Sequence, residues 1–221
     1  MAMNQRNEFW TFFDNEASPK LALREKTFRK IFQYLDTCDG PISIIETGCA
    51  RVEGNWEGDG QSTVLFDKYI TFRDPVSECH TVDINQKSVS ICKKLVSDRV
   101  KISQDDSVHH LSLISKNFLD RKKTVNFVYL DSFDLNWTHW YPAAIHHLKE
   151  LAAIIRCFDE KTLLVVDDCL LNGNFVYPEE NKIVMIDKPK IGGKGRLIAE
   201  YASAVGANLE FADYQAGWTG F

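Results

Sequence analysis

Acidic side chains follow the apolar runs of this sequence wherever those runs end. Glu46 closes the run ISIIE, Asp83 closes CHTVD, and Asp131 comes directly after VNFVYL. Two acidic pairs have similar places: Asp105-Asp106 shortly after VKIS, and Asp167-Asp168 directly after TLLVV. Carboxylates that lie close together raise one another's pKa unless a cation or hydroxyl groups meet them. The pattern therefore predicts an acidic site for a cationic or hydroxyl-rich ligand.

The apolar runs themselves are typical of buried parallel strands, and helical patterns separate them. The runs cover residues 42–46, 79–83, 100–103, 125–130 and 162–166. The alternation predicts an α/β fold, a doubly wound, mostly parallel sheet with helices on both faces in a single domain. Ligands of such sheets bind beyond the carboxyl ends of the strands, which is where the acidic residues stand.

The two ends of the chain carry patterns that differ from the alternating runs between them. Ser18 and Pro19 predict the start of a helix that ends near Asp39, so we expect residues 1–40 to form a helical segment packed on an α/β domain of residues 41–221. The aromatic stretch FWTFF within that segment is open to three readings: a lid, an oligomer contact or part of the core. Near the other end, residues 181–187 predict an additional strand or hairpin arm, and the last 16 residues predict one clear strand and a stub.

Composition excludes several classes of protein. The 221 residues carry a formal charge of −5, so we expect no nucleic-acid partner, and the basic triplet Arg121–Lys123 is read as a solvated loop. The six cysteines lack metal-ligand spacing and indicate reduced thiols in the cytoplasm. Since no apolar run reaches about 18 residues, we also expect no membrane span and no secretion signal. The sequence leaves open whether the protein forms a homo-oligomer.

The stretch IIETGCARVEGNWEGDGQST (44–63) raises the question of which nucleotide the chain could bind. A dinucleotide fingerprint would need GxGxxG and an acid about 20 residues later, but Gly48 and Gly54 are too far apart and Asp83 comes too late. A phosphate-binding P-loop would need a lysine before the hydroxyls of Ser62 and Thr63. A pyrophosphate therefore has no evident cradle.

Glu46-Thr47-Gly48-Cys49-Ala50, followed after an insertion by Gly60-Gln61-Ser62-Thr63, resembles the first motif of class I S-adenosylmethionine-dependent methyltransferases. The resemblance spans roughly residues 42–211. It implies that Asp83 takes the ribose hydroxyls and that Asp106-Ser107 flanks the adenine. The cofactor-binding residues implied in this way are Glu46, Gly48, Cys49, Ala50, Gly60, Gln61, Ser62, Asp83, Asp106 and Ser107. A carboxylate that caps the next helix is the alternative for Glu46 and Asp83.

Within that class, VNFVYLDS and LLVVDD resemble the divalent-cation-dependent O-methyltransferases of the catechol and macrolide-sugar types. The resemblance implies a magnesium ion held by Asp131, Asp167 and Asp168, and oxygen ligands suit such a hard cation. The metal would lower the pKa of an acceptor hydroxyl and orient it toward the sulfonium methyl group. Asp131 is thus also a candidate catalytic residue. In place of the catechol-type lysine the chain has Asp134, which is a candidate general base together with His139.

We therefore expect an S-adenosylmethionine-dependent methyltransferase that acts on a hydroxyl of a small molecule or sugar with help from Mg²⁺. Two alternatives stay open: a nicotinamide-dependent oxidoreductase, and a catalytically silent binding protein on a methyltransferase scaffold. A protein side chain is a further conceivable acceptor. The pairs His109-His110 and His146-His147 are read as helix surface and packing, and Trp137, Trp140 and Tyr141 either as an aromatic wall or as core.

Overall fold

The computed structural model describes the backbone of residues 2–177 and 182–221 and the side chains of residues 7–171 and 190–221. In this part of the chain, seven strands form one sheet. The five predicted runs are its parallel strands: β1 (Ser43–Thr47), β2 (Glu78–Asp83), β3 (Val100–Gln104), β4 (Phe127–Leu130) and β5 (Leu163–Val166). With β8 (Asn208–Ala212) and β9 (Ala216–Thr219), the spatial order is β3-β2-β1-β4-β5-β9-β8. The predicted doubly wound α/β fold is confirmed.

Helices cover both faces of this sheet. Along β4, Phe127 and Tyr129 point into one apolar core, and Val128 and Leu130 point into another, because successive side chains of a strand alternate. The first core also holds side chains of α1 (Ala2–Phe12), α2 (Glu25–Thr37) and α4 (Ser62–Arg73), and the second those of α6 (Ser107–Asp120), α7 (Tyr141–Ile154) and α8 (Arg196–Val205). Two further helices are α3 (Trp56–Asp59), in the insertion, and α5 (Gln86–Leu95). No helix within residues 2–177 and 182–221 has the length and hydropathy needed to cross a membrane.

The last residues form more regular structure than the sequence predicts. Instead of one strand and a stub, β8 (Asn208–Ala212) and β9 (Ala216–Thr219) make an antiparallel hairpin, and β9 lies between β5 and β8. The prediction fails at β9 because its run is short and contains Gly217, which weakens a strand pattern. Gly217 is needed there, since a Cβ would lie 2.6 Å from the ring of Phe211.

A second, two-stranded sheet precedes α8. It is an antiparallel hairpin of β6 (Leu171–Tyr177) and β7 (Lys182–Ile191), which confirms the predicted hairpin arm from residue 182 onward. Residue 181, where that arm was predicted to begin, lies outside the described residues, as do residues 178–180.

The predicted helix start at Ser18 is wrong. Residues 18–20 form a single 3₁₀ turn, and α2 begins only at Glu25. Ala22 has a φ of +46°, a left-handed conformation that interrupts the helical path, and the hydroxyl of Ser18 donates to the carboxylate of Glu25 at 3.1 Å instead of capping a helix. Before this turn, the rings of Phe9 and Phe13 are buried in the core. Of the three readings of the aromatic stretch, these contacts favour the core.

The N-terminal aromatic stretch gives a test of that reading. We expect Phe13→Ala to lower the free energy of unfolding by about 3–5 kcal/mol, because it removes a fully buried ring and leaves a cavity. The control Leu23→Ala, at a side chain that is 62% exposed, should change it by less than about 0.5 kcal/mol. Urea unfolding measures both. A loss below about 1 kcal/mol for Phe13→Ala would show that the stretch is not core.

Candidate functional site

The turn after β1 is shaped by its contact with the end of β4. Gly48 has a φ of +80°, and its N–H donates to the carbonyl of Val82 at 2.8 Å. A Cβ at this position would lie 2.5 Å from the carbonyl oxygen of Asp131, so only glycine fits. The next amide, that of Cys49, points to the carboxylate of Asp83 at 3.4 Å. The predicted glycine turn therefore brings three strand ends together.

Two adjoining cavities open at this edge of the sheet. The turn cavity is only about 30 Å³ and is lined by Gly48, Cys49, Ala50, Arg51, Asp59, Ser62, Asp83, Asp131 and Ser132. The ring cavity is about 310 Å³ and is lined by Val82, Asp83, Ile84, Asp106, Ser107, Ser132, Phe133 and His146. Asp83 and Ser132 line both. Eight of the residues predicted from the sequence to bind a cofactor or a metal thus line these two adjoining cavities: Gly48, Cys49, Ala50, Ser62, Asp83, Asp106, Ser107 and Asp131.

Glu46 has a different place from the one predicted. Its carboxylate is fully buried and accepts hydrogen bonds from the hydroxyls of Ser62 at 2.6 Å and Thr63 at 2.7 Å. Burial raises the pKa of Glu46 to about 7. Thr63 also accepts from the amide of Ala50 at 2.9 Å, so these bonds tie β1 and its turn to the start of α4. Glu46 lines neither cavity.

The insertion between Ala50 and Ser62 folds back over the turn. Gly60 ends α3 with a φ of +68°, and Gln61 donates to the carbonyl of Val52 at 2.7 Å. Both predicted residues therefore shape the end of the insertion and line neither the turn cavity nor the ring cavity. Arg51 joins it to the β4 loop, with its guanidinium 3.2 Å from Asp59 and 2.7 Å from Asp134.

A polar network lies behind the ring cavity. His146 Nε2 is 2.9 Å from the hydroxyl of Ser107, and the hydroxyl of Ser132 donates to the buried carboxylate of Glu150 at 2.6 Å. Burial alone would raise the pKa of Glu150, but His147 and these neighbours lower it to about 2. His147 is also fully buried, and burial lowers its pKa to about 4. Of the predicted helix surface and packing, packing describes the buried His147, while the part-exposed His146 lines the ring cavity.

The three predicted metal ligands converge as expected. Asp131, Asp167 and Asp168 each offer an oxygen within 4.8 Å of the others. Two basic side chains that the sequence analysis did not single out meet them. The guanidinium of Arg24 pairs with Asp167 at 2.9 Å, and the ammonium of Lys194 contacts Asp131 and lies 3.0 Å from Asp168. The three carboxylates raise the pKa of Lys194 against the opposing effect of burial, which keeps it charged.

This arrangement does not offer magnesium an open site. Mg²⁺ needs six oxygen ligands in a near-ideal octahedron at about 2.0–2.1 Å. Both oxygens of Asp167 accept from Arg24, and Lys194 lies between Asp131 and Asp168. An ion would have to displace a lysine that is 2% exposed. The magnesium ion at this cluster stays a prediction from the sequence.

The two predicted general bases lie away from the cavities. The side chain of Asp134 is 79% exposed and pairs with Arg51. His139 is exposed in the loop after β4, where its amide donates to Asn136. Trp137 and Tyr141 of the same segment are 52% and 54% exposed, so they belong neither to the core nor to the lining of the two cavities.

The sequence did carry a signal for one of the missed residues. Lys194 stands between glycines in Gly192-Gly193-Lys194-Gly195, a composition that allows close backbone approach. Arg24 had no such signal, because it precedes α2 among other basic residues and is 143 residues from its partner Asp167. His146 was hidden in a helical pattern that fits simple packing.

Glu46 makes the stability of the folded protein depend on pH in a predictable direction. Its pKa rises from 4.5 when unfolded to about 7 when folded, so it contributes stability below pH 4.5 that is lost as the pH rises through 7. We expect Glu46→Gln to remove this dependence. The stability of the variant relative to wild type should therefore increase by about 1–3 kcal/mol between these pH values.

Urea unfolding of both proteins at a series of pH values measures this difference. Glu53→Gln, at an exposed position of the insertion, controls for the loss of one negative charge. Parallel stability curves for Glu46→Gln and wild type would show that the carboxylate of Glu46 is not the group that binds the proton.

Comparison with known proteins gives a match at the level of structure. No protein-family model matches the chain, and neither does any curated protein. Among solved structures, one neighbour is the MycE methyltransferase of the mycinamycin biosynthetic pathway in complex with Mg and SAH. It has 14% sequence identity to this chain and a TM-score of 0.55 over 91% of this chain. This chain spans only 54% of the length of MycE.

Two further neighbours have similar scores. A putative rRNA methylase from Clostridium thermocellum has 12% identity and a TM-score of 0.51, over 88% of this chain and 97% of its own. A protein from Corynebacterium glutamicum has 12% identity and a TM-score of 0.52, over 89% and 81%. At such identities the likeness is one of fold. With its sheet order and these neighbours, the chain has the Rossmann-like fold of S-adenosylmethionine-dependent methyltransferases.

Proposed function

We propose that this protein is an S-adenosylmethionine-dependent methyltransferase that acts on a hydroxyl group of a small molecule or sugar. The observation that carries the proposal is the position of Asp83. It follows β2 at the carboxyl edge of the sheet and lines both cavities, next to a glycine turn without a phosphate cradle. This combination suits a nucleoside cofactor that has ribose hydroxyls and no phosphate.

The linings of the two cavities favour one orientation of the proposed cofactor. The ring cavity takes the adenine, since it is the larger of the two cavities and its lining includes the aromatic side chains of Phe133 and His146. Asp83 accepts hydrogen bonds from the ribose hydroxyls, because its carboxylate stands where the two cavities meet. The methionine part then lies toward the turn cavity beside Gly48, and this cavity of about 30 Å³ has to widen to admit it.

This orientation directs the reacting methyl group toward Asp131. The transfer is a direct displacement: the acceptor oxygen forms a bond to the methyl carbon as the bond from that carbon to sulfur breaks, and the hydroxyl proton goes to a base. Asp131 is the only acid of the cluster that lines the turn cavity among the described residues. It is therefore our candidate for the base, in preference to the exposed Asp134 and His139.

A silent binding protein on this scaffold is the second candidate. The observation that favours it is the size of the turn cavity, about 30 Å³, which is close to the space for a single water molecule. Cofactor binding without transfer to any acceptor would support this alternative. The only support left for the oxidoreductase alternative is the general rule that a fold alone does not determine a function.

The cofactor assignment can be tested by calorimetric titration with S-adenosylhomocysteine. We expect micromolar binding to the wild type and none of NADH. Asp83→Asn should weaken binding by about 10–100-fold, because a hydrogen bond to a charged group contributes about 1.5–3 kcal/mol. Asp105→Asn is the matched control, since Asp105 pairs with the exposed His109. Binding of NADH in place of S-adenosylhomocysteine would overturn the proposal.

The role of Asp131 can be tested separately from binding. With radiolabelled S-adenosylmethionine and a panel of hydroxyl, amine and thiol acceptors, we expect labelling of hydroxyl acceptors. Asp131→Asn should lower turnover by about 10²–10⁴-fold, as expected for loss of a general base, while Asp134→Asn changes it little. Labelling of only amine or thiol acceptors would contradict O-methylation. The opposite ranking of the two variants would make Asp134 the base.

A further inference from the structure

The acidic cluster contains a lysine whose ammonium group has the position of a bound cation. Lys194 Nζ contacts Asp131 and lies 3.0 Å from Asp168, and its side chain is only 2% exposed. A buried ammonium group is costly unless it is paired. Here it bridges two of the three carboxylates that were predicted to hold the metal.

Glycines on both sides of Lys194 let its backbone come close to Asp168 and Cys169. Gly193 has a φ of +57°, and a Cβ on it would lie 1.9 Å from the carbonyl oxygen of Asp168. A Cβ on Gly195 would lie 2.4 Å from the sulfur of Cys169. Asp168 itself has a φ of +49°, an unusual conformation for a residue with a side chain. Close packing on both sides of Lys194 therefore fixes this loop against the end of β5.

Arg24 holds the third carboxylate. Its Nε donates to both oxygens of Asp167, at 3.2 and 2.9 Å, and its Nη2 lies 3.5 Å from Asp168. The other terminal nitrogen donates to the carbonyl of Glu57 at 3.0 Å. The guanidinium is also 4.6 Å from the ring centre of Tyr214, whose hydroxyl donates to Asp168. The arginine is thus fixed from several sides.

Three carboxylates and these two cations leave a formal charge of −1, against −3 for the carboxylates alone. We propose that Lys194 and Arg24 are built-in cations of the cluster, so that the wild-type protein takes no divalent cation there and loss of the Lys194 ammonium group creates a divalent-cation site. The inference rests on the contacts of the cluster and goes beyond the proposed methyl transfer.

Removal of Lys194 should free oxygens of Asp131 and Asp168 while Arg24 still holds Asp167. Methionine suits the substitution because it is unbranched, similar in length and uncharged, and it fills irregular space in a core. The carboxylates of Lys194→Met would repel one another, and a hard cation relieves that repulsion. Lys194→Arg keeps the positive charge and should keep the cluster closed to metal.

The test is a titration with Mn²⁺, followed by the electron paramagnetic resonance signal of the free ion, on the intact chain without cofactor or acceptor. We expect no stoichiometric binding by wild type up to about 1 mM, and at least about tenfold tighter binding by Lys194→Met at one ion per chain. The exposed Lys190→Met is the matched control and should behave as wild type. Adding Asp168→Asn to Lys194→Met should abolish the new site.

Stoichiometric Mn²⁺ binding by wild type that Asp168→Asn removes would overturn the inference and restore the metal centre. No gain of binding in a folded Lys194→Met variant would also overturn it, since Lys194 would then not occupy a cation position. If that variant lacks the circular dichroism spectrum of the wild type, Lys194→Gln takes its place in the same titration. Because no cofactor is present, failure of S-adenosylhomocysteine to bind would count against the proposed function and leave this inference intact.

Discussion

The carboxylate of Asp167, directly after β5, is fully buried, and the fold has to compensate its charge. An isolated buried charge is too costly to persist, and removal of one partner from a buried ion pair typically costs about 3–5 kcal/mol. Arg24, which is 143 residues away along the chain, pairs with that charge. Its position depends on the left-handed turn at Ala22 and on Gly60, where a Cβ would lie 2.8 Å from the Arg24 side chain. Arg24 thereby joins the N-terminal turn to the sheet through its ion pair with Asp167, and to the insertion through its hydrogen bond to the carbonyl of Glu57.

Asp131 connects this buried charge network to the cavities. Its backbone presses against Gly48 of the glycine turn, and its carboxylate lines the turn cavity while it contacts Lys194. A fixed cation beside the acid has a chemical consequence. It orients the carboxylate before any ligand arrives. For the proposed methyl transfer, such preorganisation counts in favour of Asp131, because preorganised charges are more effective in catalysis than groups that must reorganise during the reaction.

The sequence predicted those features that depend on local pattern. The five parallel strands were recognisable because each is a short apolar run, and the acids at their ends lie at one edge because parallel strands share their direction. The hydrogen bonds of Glu46 could not be recognised in the sequence. An acidic residue at the end of a strand gives the same sequence pattern whether its side chain faces a ligand or the hydroxyls of Ser62 and Thr63. The partner of Asp167 was equally hidden, because contacts over 143 residues leave no local pattern.

The cavities and the acidic cluster differ in how firmly they are held. Arg51, which lines the turn cavity, is held by ion pairs to Asp59 and Asp134 while its own side chain is 48% exposed. Such surface pairs contribute about 0–1 kcal/mol, so little free energy opposes their opening. Lys194 and Arg24 are buried in their pairs, and moving either one exposes an unpaired charge to the core. The turn cavity therefore has a compliant side at Arg51 and a rigid side at Asp131, so a ligand can widen it on the Arg51 side.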